Sequence, residues 1–119
     1  MEDICKLKYI YRSLYNFEKE FAETNGITIN EGMILCCMKD GNPRLASELY
    51  DFVGLSGSRV SRVINSVEKK GFIVREMGIA DKRQMIFSLT EPGRQKIKEM
   101  HKKKMNLSGL KRQLMNMVE

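Results

Sequence analysis

The stretch from Ser56 to Gly71 repeats its apolar residues with the period of an α-helix. Four aliphatic side chains fall on one face of that helix, so this face must be buried: Val60, Val63, Ile64 and Val67. Ser56 is a suitable N-cap because its hydroxyl can accept from a free backbone amide, and Gly71 is a suitable C-terminal stop. The sequence therefore predicts a helix with one buried face and one open face.

The open face of this helix carries hydroxyl, amide and guanidinium groups, and its first acidic neighbour is Glu68. Its members are Ser58, Arg59, Ser61, Arg62, Asn65 and Ser66. A face that is merely solvated usually mixes both signs of charge, whereas this composition favours contact with phosphates and base edges. We therefore predict that the helix reads DNA.

A second short amphipathic helix precedes it, from Leu45 to Val53, and Gly54 ends this helix. The residues predicted to point inward are Leu45, Leu49, Phe52 and Val53, with Glu48 and Asp51 outward. Two helices joined by a short turn that contains glycine form a helix-turn-helix, in which the first helix braces the second in the major groove.

Beyond Gly71 the period changes from helical to extended. The sequence predicts strands at residues 72–75 and 85–89, joined by residues 76–84 with Gly78 near the tip. A β-hairpin directly after a recognition helix is the wing of a winged helix. Arg83 on this projecting loop is suited to a narrow minor groove, where the potential is most negative. The residues predicted to support the wing are Arg75, Asp81, Lys82 and Gln84; phosphate would repel Asp81, which should brace the loop.

Helices are predicted at both ends of the chain. From about residue 3 to residue 22, apolar residues recur at spacings of three and four: Leu7, Ile10, Leu14, Phe17 and Phe21. After Thr90, a suitable cap, a helix should run to about Lys104, and the same spacing resumes from Leu107. This C-terminal segment should pair with the first helix or with a second subunit, and the long stripe predicts a homodimer.

The predicted fold class is α+β, mainly helical: a winged helix-turn-helix with added N- and C-terminal dimerisation helices. We expect one domain over residues 1–119. Residues 28–90 should form the winged helix-turn-helix DNA-binding lobe, and residues 1–24 and 94–119 the dimerisation helices.

Net charge and hydropathy narrow the choice of partner and compartment. The formal net charge of +6 indicates a polyanionic partner, although charge alone does not separate nucleic acid from a membrane surface. No apolar run approaches the ~20 residues that cross a bilayer, and the N-terminus lacks the pattern of a signal peptide. We therefore expect a cytoplasmic protein without a membrane partner.

The residues that carry enzyme chemistry are sparse. His101 is the only histidine, so no Cys-His or Ser-His pair has a supporting signature, and no glycine loop of the phosphate-cradling kind appears. Three cysteines without a Cys-x-x-Cys pair indicate neither a disulfide framework nor a zinc site. We expect no enzyme activity, no metal and no cofactor.

The chain from about residue 28 to residue 97 resembles the multiple-antibiotic-resistance regulator (MarR) family of bacterial winged-helix repressors. The motifs that carry the resemblance are Leu45–Leu49, Ser58–Ile64, Glu68–Ile73, Asp81–Arg83 and Leu89–Gly93. The resemblance implies a homodimer that binds double-stranded DNA. It implies major-groove and phosphate contacts from Ser56, Ser58, Arg59, Ser61 and Arg62, and a minor-groove contact from Arg83. It also implies a small-molecule effector, whose identity it does not give.

The three cysteines have different predicted roles. Cys36 and Cys37 should be small core-packing residues of the helix that precedes the helix-turn-helix. For Cys5 the alternatives are ordinary partial burial and a redox sensor, because a peroxide-sensing branch of the resembled family uses one cysteine near the start of the first helix, supported by tyrosines. Tyr9 lies one turn after Cys5, but the second tyrosine would fall near Lys19 and is missing.

Two functions from different classes follow from these patterns. The first is a transcriptional regulator, most simply a homodimeric repressor on a pseudo-palindromic operator that a small ligand or an oxidant relieves. The alternative is a winged helix used as a protein-interaction module, whose basic face meets an acidic partner without specific DNA binding. Steep salt dependence and sequence preference on DNA distinguish the first from the second.

Overall fold

The computed structural model describes residues 1–117, which form six α-helices and a small three-stranded antiparallel sheet. The elements in chain order are α1 (Glu2–Asn25), α2 (Ile29–Cys37), β1 (Arg44–Leu45), α3 (Ala46–Val53), α4 (Gly57–Lys69), β2 (Ile73–Met77), β3 (Met85–Leu89), α5 (Glu91–Lys102) and α6 (Ser108–Met117). This arrangement confirms the predicted α+β, mainly helical, winged helix-turn-helix fold.

The chain divides into two compact units, and the first contains residues 1–28 and the segment from Lys103 onward. Within it α6 packs against α1, as predicted for the C-terminal segment, and Lys103 Nζ donates to the carbonyl oxygen of Thr24 at 2.9 Å. Gly26 ends α1 in the left-handed conformation with a φ of 72°. Several large apolar side chains of α1 remain exposed: Ile4, Leu7, Tyr11, Leu14 and Tyr15.

The second unit, residues 29–102, has its own core. The buried apolar residues come from α2 and the turn after it, α3, α4, both long strands and α5: Ile34, Leu35, Met38, Leu49, Val60, Ile64, Val67, Ile73, Phe87, Leu89 and Ile97. Three of the four aliphatic residues expected on the buried face of α4 are in this list, and Val63 is half-buried. The helical period therefore identified the packed face of α4 correctly.

The sheet has the strand order β1-β3-β2. In the hairpin, Ile73 lies opposite Leu89 and Met77 opposite Met85, so the wing strands match the prediction to within two residues. The short strand β1 was not predicted. It pairs Leu45 with Ile86, which places Leu45 in the sheet rather than in the helix where its apolar side chain had suggested it belonged.

The turn between α2 and β1 is held by Asp40. Its carboxylate accepts from the backbone amide of Asn42 at 2.9 Å and from Arg44 Nη2 at 2.6 Å. These hydrogen bonds, that of the Asn42 amide first, hold the pKa of Asp40 below its ordinary value. Arg44 is thereby fixed at the start of β1, which explains how so short a strand keeps its register.

The start of α5 packs tightly on the segment between α4 and β2. Thr90 caps this helix as predicted, since its Oγ1 accepts from the Gly93 amide at 3.1 Å, and the same hydroxyl donates to the Gly71 carbonyl at 2.6 Å. A Cβ atom at Gly93 would collide with the carbonyl oxygen of Phe72. The absence of a side chain at Gly93 therefore permits this contact.

Three expectations about side-chain placement were wrong. Phe52 is 51% exposed, because the neighbouring elements cover Leu49 fully and leave much of Phe52 open to solvent. Cys36 is exposed, because Ile34 and Leu35 fill the core side of α2. Gly78 is not near the tip of the wing: its amide donates to the Gln84 carbonyl at 2.9 Å and closes the base of the loop.

Candidate nucleic-acid interface

The turn between α3 and α4 determines where α4, the predicted recognition helix, begins. Gly54 has a φ of 73°, and its amide donates to the Tyr50 carbonyl at 3.0 Å, so α3 stops there. Ser56 Oγ accepts from the backbone amide of Arg59 at 3.4 Å and lies 3.5 Å from Ser58 Oγ. The predicted N-cap is confirmed, and the capped end presents the first turn of α4 to solvent.

The N-terminal half of α4 carries exposed cations. Ser58, Arg59 and Arg62 are exposed, and Ser61 is half-buried. Within residues 1–117 neither arginine forms an ion pair. A guanidinium group has five N–H donors in a planar fork, which matches phosphate oxygens and the two acceptors of a guanine edge. This half of the helix is therefore free to bind a polyanion.

The C-terminal half of α4 is anchored to α2. The Glu31 side chain, only 3% exposed, accepts from Ser66 Oγ at 2.6 Å and from Lys70 Nζ at 2.8 Å. Ser66 was expected on the open face, but its hydroxyl is directed at this carboxylate. The two halves of α4 thus differ: the first exposes its polar groups, whereas Ser66 in the second half bonds to a buried carboxylate.

Arg75 connects the first wing strand to α4. Its Nε lies 2.9 and 3.1 Å from the two carboxylate oxygens of Glu68, and its Nη2 donates to Glu68 Oε1 and to Asn65 Oδ1, both at 2.9 Å. The guanidinium carbon also lies 5.4 Å from the ring centroid of Phe87. The hydrogen bonds to Glu68 raise the pKa of Arg75 above its ordinary value. The wing strand and the reading helix are therefore joined by a charged clamp.

The wing loop is held from inside by Asp81. Its Oδ1 accepts from the backbone amide of Arg83 at 2.9 Å and from Arg83 Nε at 3.3 Å, and its carbonyl oxygen accepts from the Gln84 amide at 3.0 Å. The Arg83 side chain is 93% exposed, and Lys82 and Ile79 are exposed beside it. This loop projects one arginine whose backbone is fixed while its charged end reaches solvent.

Two parts of this surface were missed in the sequence. Glu31 carried a signal, since it is an acidic residue directly before an apolar helix segment, where an unpaired charge is costly. Arg75 was predicted to support the wing, but its partners Asn65 and Glu68 were not, because residues seven and ten positions apart meet only after the hairpin folds back on α4.

The three cysteines differ in exposure. Cys5 and Cys36 are exposed and Cys37 is half-buried; burial raises the pKa of the Cys37 thiol, with a smaller opposing effect from Arg44. Across residues 1–117, no three side chains of the metal-binding types gather in one place. No helix in that same span has both the length and the hydropathy needed to cross a bilayer.

A compact lobe with a helix-turn-helix, a basic reading helix and a β-hairpin joined to it by a charged clamp is a winged helix-turn-helix. The family model for the MarR family matches residues 25–84, and the chain belongs to that family.

Individual relatives are more distant. The Bacillus subtilis protein YwoH, described as an uncharacterized HTH-type transcriptional regulator, is 26% identical over 84 residues, which are 71% of this chain and 61% of YwoH. The chain thus spans less than two thirds of the length of that relative.

Solved structures share the fold. A cysteine-to-serine mutant of E. coli MarR complexed with operator DNA has a TM-score of 0.75 at 19% identity, covering 97% of this chain and 84% of that one. Reduced AbfR bound to DNA has a TM-score of 0.71 at 24% identity, covering 85% and 76%. At these identities the similarity establishes the fold alone.

Proposed function

We propose that this protein is a sequence-specific DNA-binding transcriptional regulator, a homodimeric repressor that occupies a pseudo-palindromic operator. The observation that carries the proposal is the pair Arg59 and Arg62, exposed on the first half of α4 without ion-pair partners among residues 1–117. Membership of the MarR family supports it, and so do the related structures of MarR and AbfR, both bound to DNA.

In this proposal the contacts divide by groove. Ser56, Ser58, Arg59, Ser61 and Arg62 address the major groove and the phosphates beside it. Arg83 enters the minor groove, with Asp81 and Gln84 holding the loop and Arg75 holding the strand. Lys82 is exposed on the same loop and lies in reach of phosphate.

A second copy of the chain supplies the other half of the reading surface. Two reading helices related by a two-fold axis address half-sites about one turn of DNA apart, ~34 Å. The exposed apolar side chains of α1, including Ile4, Tyr11 and Tyr15, support dimerisation through the terminal helices, residues 1–24 and 94–119, with residues 28–90 as the DNA-binding lobe.

Release of the operator is assigned to a small-molecule effector or to an oxidant acting on Cys5. The thiol of Cys5 is exposed, as a redox sensor requires. We propose a cytoplasmic binding protein, not an enzyme, that needs no cofactor.

The test is binding to the DNA immediately upstream of the protein's own gene, and to unrelated DNA of equal length, across a salt series. We expect tight, sequence-preferring binding whose affinity falls steeply with salt. The double variant Arg59→Ala, Arg62→Ala should lose this preference. The control Lys39→Ala removes a positive charge from an exposed position just after α2, outside α4, the wing and the terminal helices, and should retain it.

Weak binding to both DNAs alike would refute the proposal and favour the protein-interaction module. Equal operator affinity of the wild type and the double arginine variant would refute the assignment of α4 as the reading helix.

A further inference from the structure

Asn65 lies on the open face of α4, beyond the two arginines. It follows Arg62 by three residues and Ser58 by seven, so the three side chains share one stripe of the helix. Asn65 is exposed, whereas the hydroxyl of Ser66 donates to the buried carboxylate of Glu31. If the first half of this stripe enters a major groove, Asn65 is the next polar group along it.

The amide of Asn65 is held in one orientation by Arg75. Arg75 Nη2 donates to Asn65 Oδ1 at 2.9 Å, and the same guanidinium is fixed by Glu68 and by the ring of Phe87. A guanidinium group has donors and no acceptor, so the amide must turn its oxygen toward it; the flipped amide would oppose two donors. The Nδ2 group therefore points away from the clamp.

This orientation limits what the amide can read. A free asparagine reads adenine with both ends, accepting from N6 through its oxygen and donating to N7 through its nitrogen. With Oδ1 turned toward Arg75, Asn65 presents its Nδ2 donors on the open side of the helix. Guanine presents two acceptors in the major groove, O6 and N7, and adenine and thymine present one each, whereas cytosine presents a donor, N4.

The ion pair of Glu68 and Arg75 beside the amide bears on the choice between a base and a phosphate. The two opposite charges offset one another, so the pair offers no net positive charge to draw a phosphate toward Asn65. A base edge carries no net charge and is bound through hydrogen bonds alone. The clamp thus favours a base contact at this position.

We infer that Asn65 is a specificity-determining residue, which the Arg75 clamp sets as a donor-only probe for guanine and against cytosine at one position of each half-site. This inference rests on the proposed function. It goes beyond that function because it pairs Asn65 with guanine and attributes the preference to Arg75 on β2.

The experiment is selection of bound duplexes from a random-sequence pool by the full-length wild type and by Asn65→Asp. The aspartate has the same shape and still accepts from Arg75, but it presents an oxygen where the amide presented N–H groups. At one position per half-site the preference should move from guanine to cytosine by about tenfold or more, with the other positions unchanged.

Two further variants separate reading from structure. Arg75→Met releases the amide and makes the two-ended contact to adenine available, so the preference for adenine should rise at the same position, whatever happens to overall affinity. Asn106→Asp makes the same charge change at an exposed residue just before α6 and should alter no position.

The outcomes are distinct. Unchanged preferences in Asn65→Asp, or a uniform loss at all positions, would overturn the inference, since the second result indicates a phosphate contact or a structural role. A wild type that enriches no sequence at all would overturn the proposed function, and this inference would fall with it.

Discussion

The buried carboxylate of Glu31 allows a quantitative test of how α4 is anchored. In Glu31→Gln the side chain keeps its shape but loses its charge; its amide should turn the oxygen toward the ammonium of Lys70 and an N–H group toward the hydroxyl of Ser66. Two hydrogen bonds to a carboxylate, at 2.6 and 2.8 Å, are thereby replaced by two weaker hydrogen bonds to a neutral amide.

The expected loss of stability depends on how exposed the side chains of Glu31 and Lys70 are. Breaking a fully buried pair costs about 3–5 kcal/mol, because one charge is left without a partner. Here the Lys70 side chain is 41% exposed and can rehydrate after the carboxylate is neutralised, so the cost falls to the difference between charged and neutral hydrogen bonds. We expect Glu31→Gln to lower the free energy of unfolding by about 2 kcal/mol.

The assay is urea unfolding followed by far-UV circular dichroism. Wild type and variant must be compared at equal protein concentration, because the stability of a dimer depends on it. Glu76→Gln, at an exposed position of β2, is the control and should change stability by less than about 0.5 kcal/mol. Lys70→Met leaves the carboxylate without its cation, and its effect should not add to that of Glu31→Gln in the double variant.

Equal unfolding midpoints for wild type and Glu31→Gln would refute the reasoning, since the carboxylate would then contribute nothing beyond a neutral amide. Additive effects of the two single variants would refute the pairing itself, even if each variant were destabilised.

Other variants test separate features. Gly93→Ala places a methyl group against a backbone oxygen and should destabilise the protein by about 1–3 kcal/mol in the same assay, whereas Gly109→Ala, where a Cβ meets no atom within 4 Å, should be neutral or slightly stabilising; equal effects would refute the steric argument. Arg83→Ala should weaken operator binding about equally for all operator variants and leave the unfolding midpoint unchanged, as seen by anisotropy titration; a loss confined to one base pair would contradict the minor-groove role. Alkylation followed by mass spectrometry should modify Cys5 rapidly at neutral pH and Cys37 slowly, because burial raises the pKa of the Cys37 thiol and keeps it protonated until the pH rises; equal rates would contradict this difference.

The helical parts of the fold were predictable because their signals are local. The period of the apolar residues identified the buried face of α4. The caps at Ser56 and Thr90 could be recognised because each is a hydroxyl residue directly before a helix. The expectation for Phe52 failed because periodicity shows which residues share a face, but it does not show how much of that face the neighbouring elements cover.

The sequence by itself determined which segments form the helices and the two wing strands, the family, and the exposed arginines on α4 and the wing, because these depend on residue type and spacing within one element. Only the tertiary structure decided how those groups are held. Strand β1 exists because Leu45 finds a partner in β3, and Ser66 turns inward because a carboxylate 35 residues earlier lies within hydrogen-bond distance. Likewise, the amide of Asn65 has a direction only because the hairpin brings Arg75 back to α4. Hydrogen bonds act over about 3 Å, so their partners are set by the folded path of the chain and not by its order.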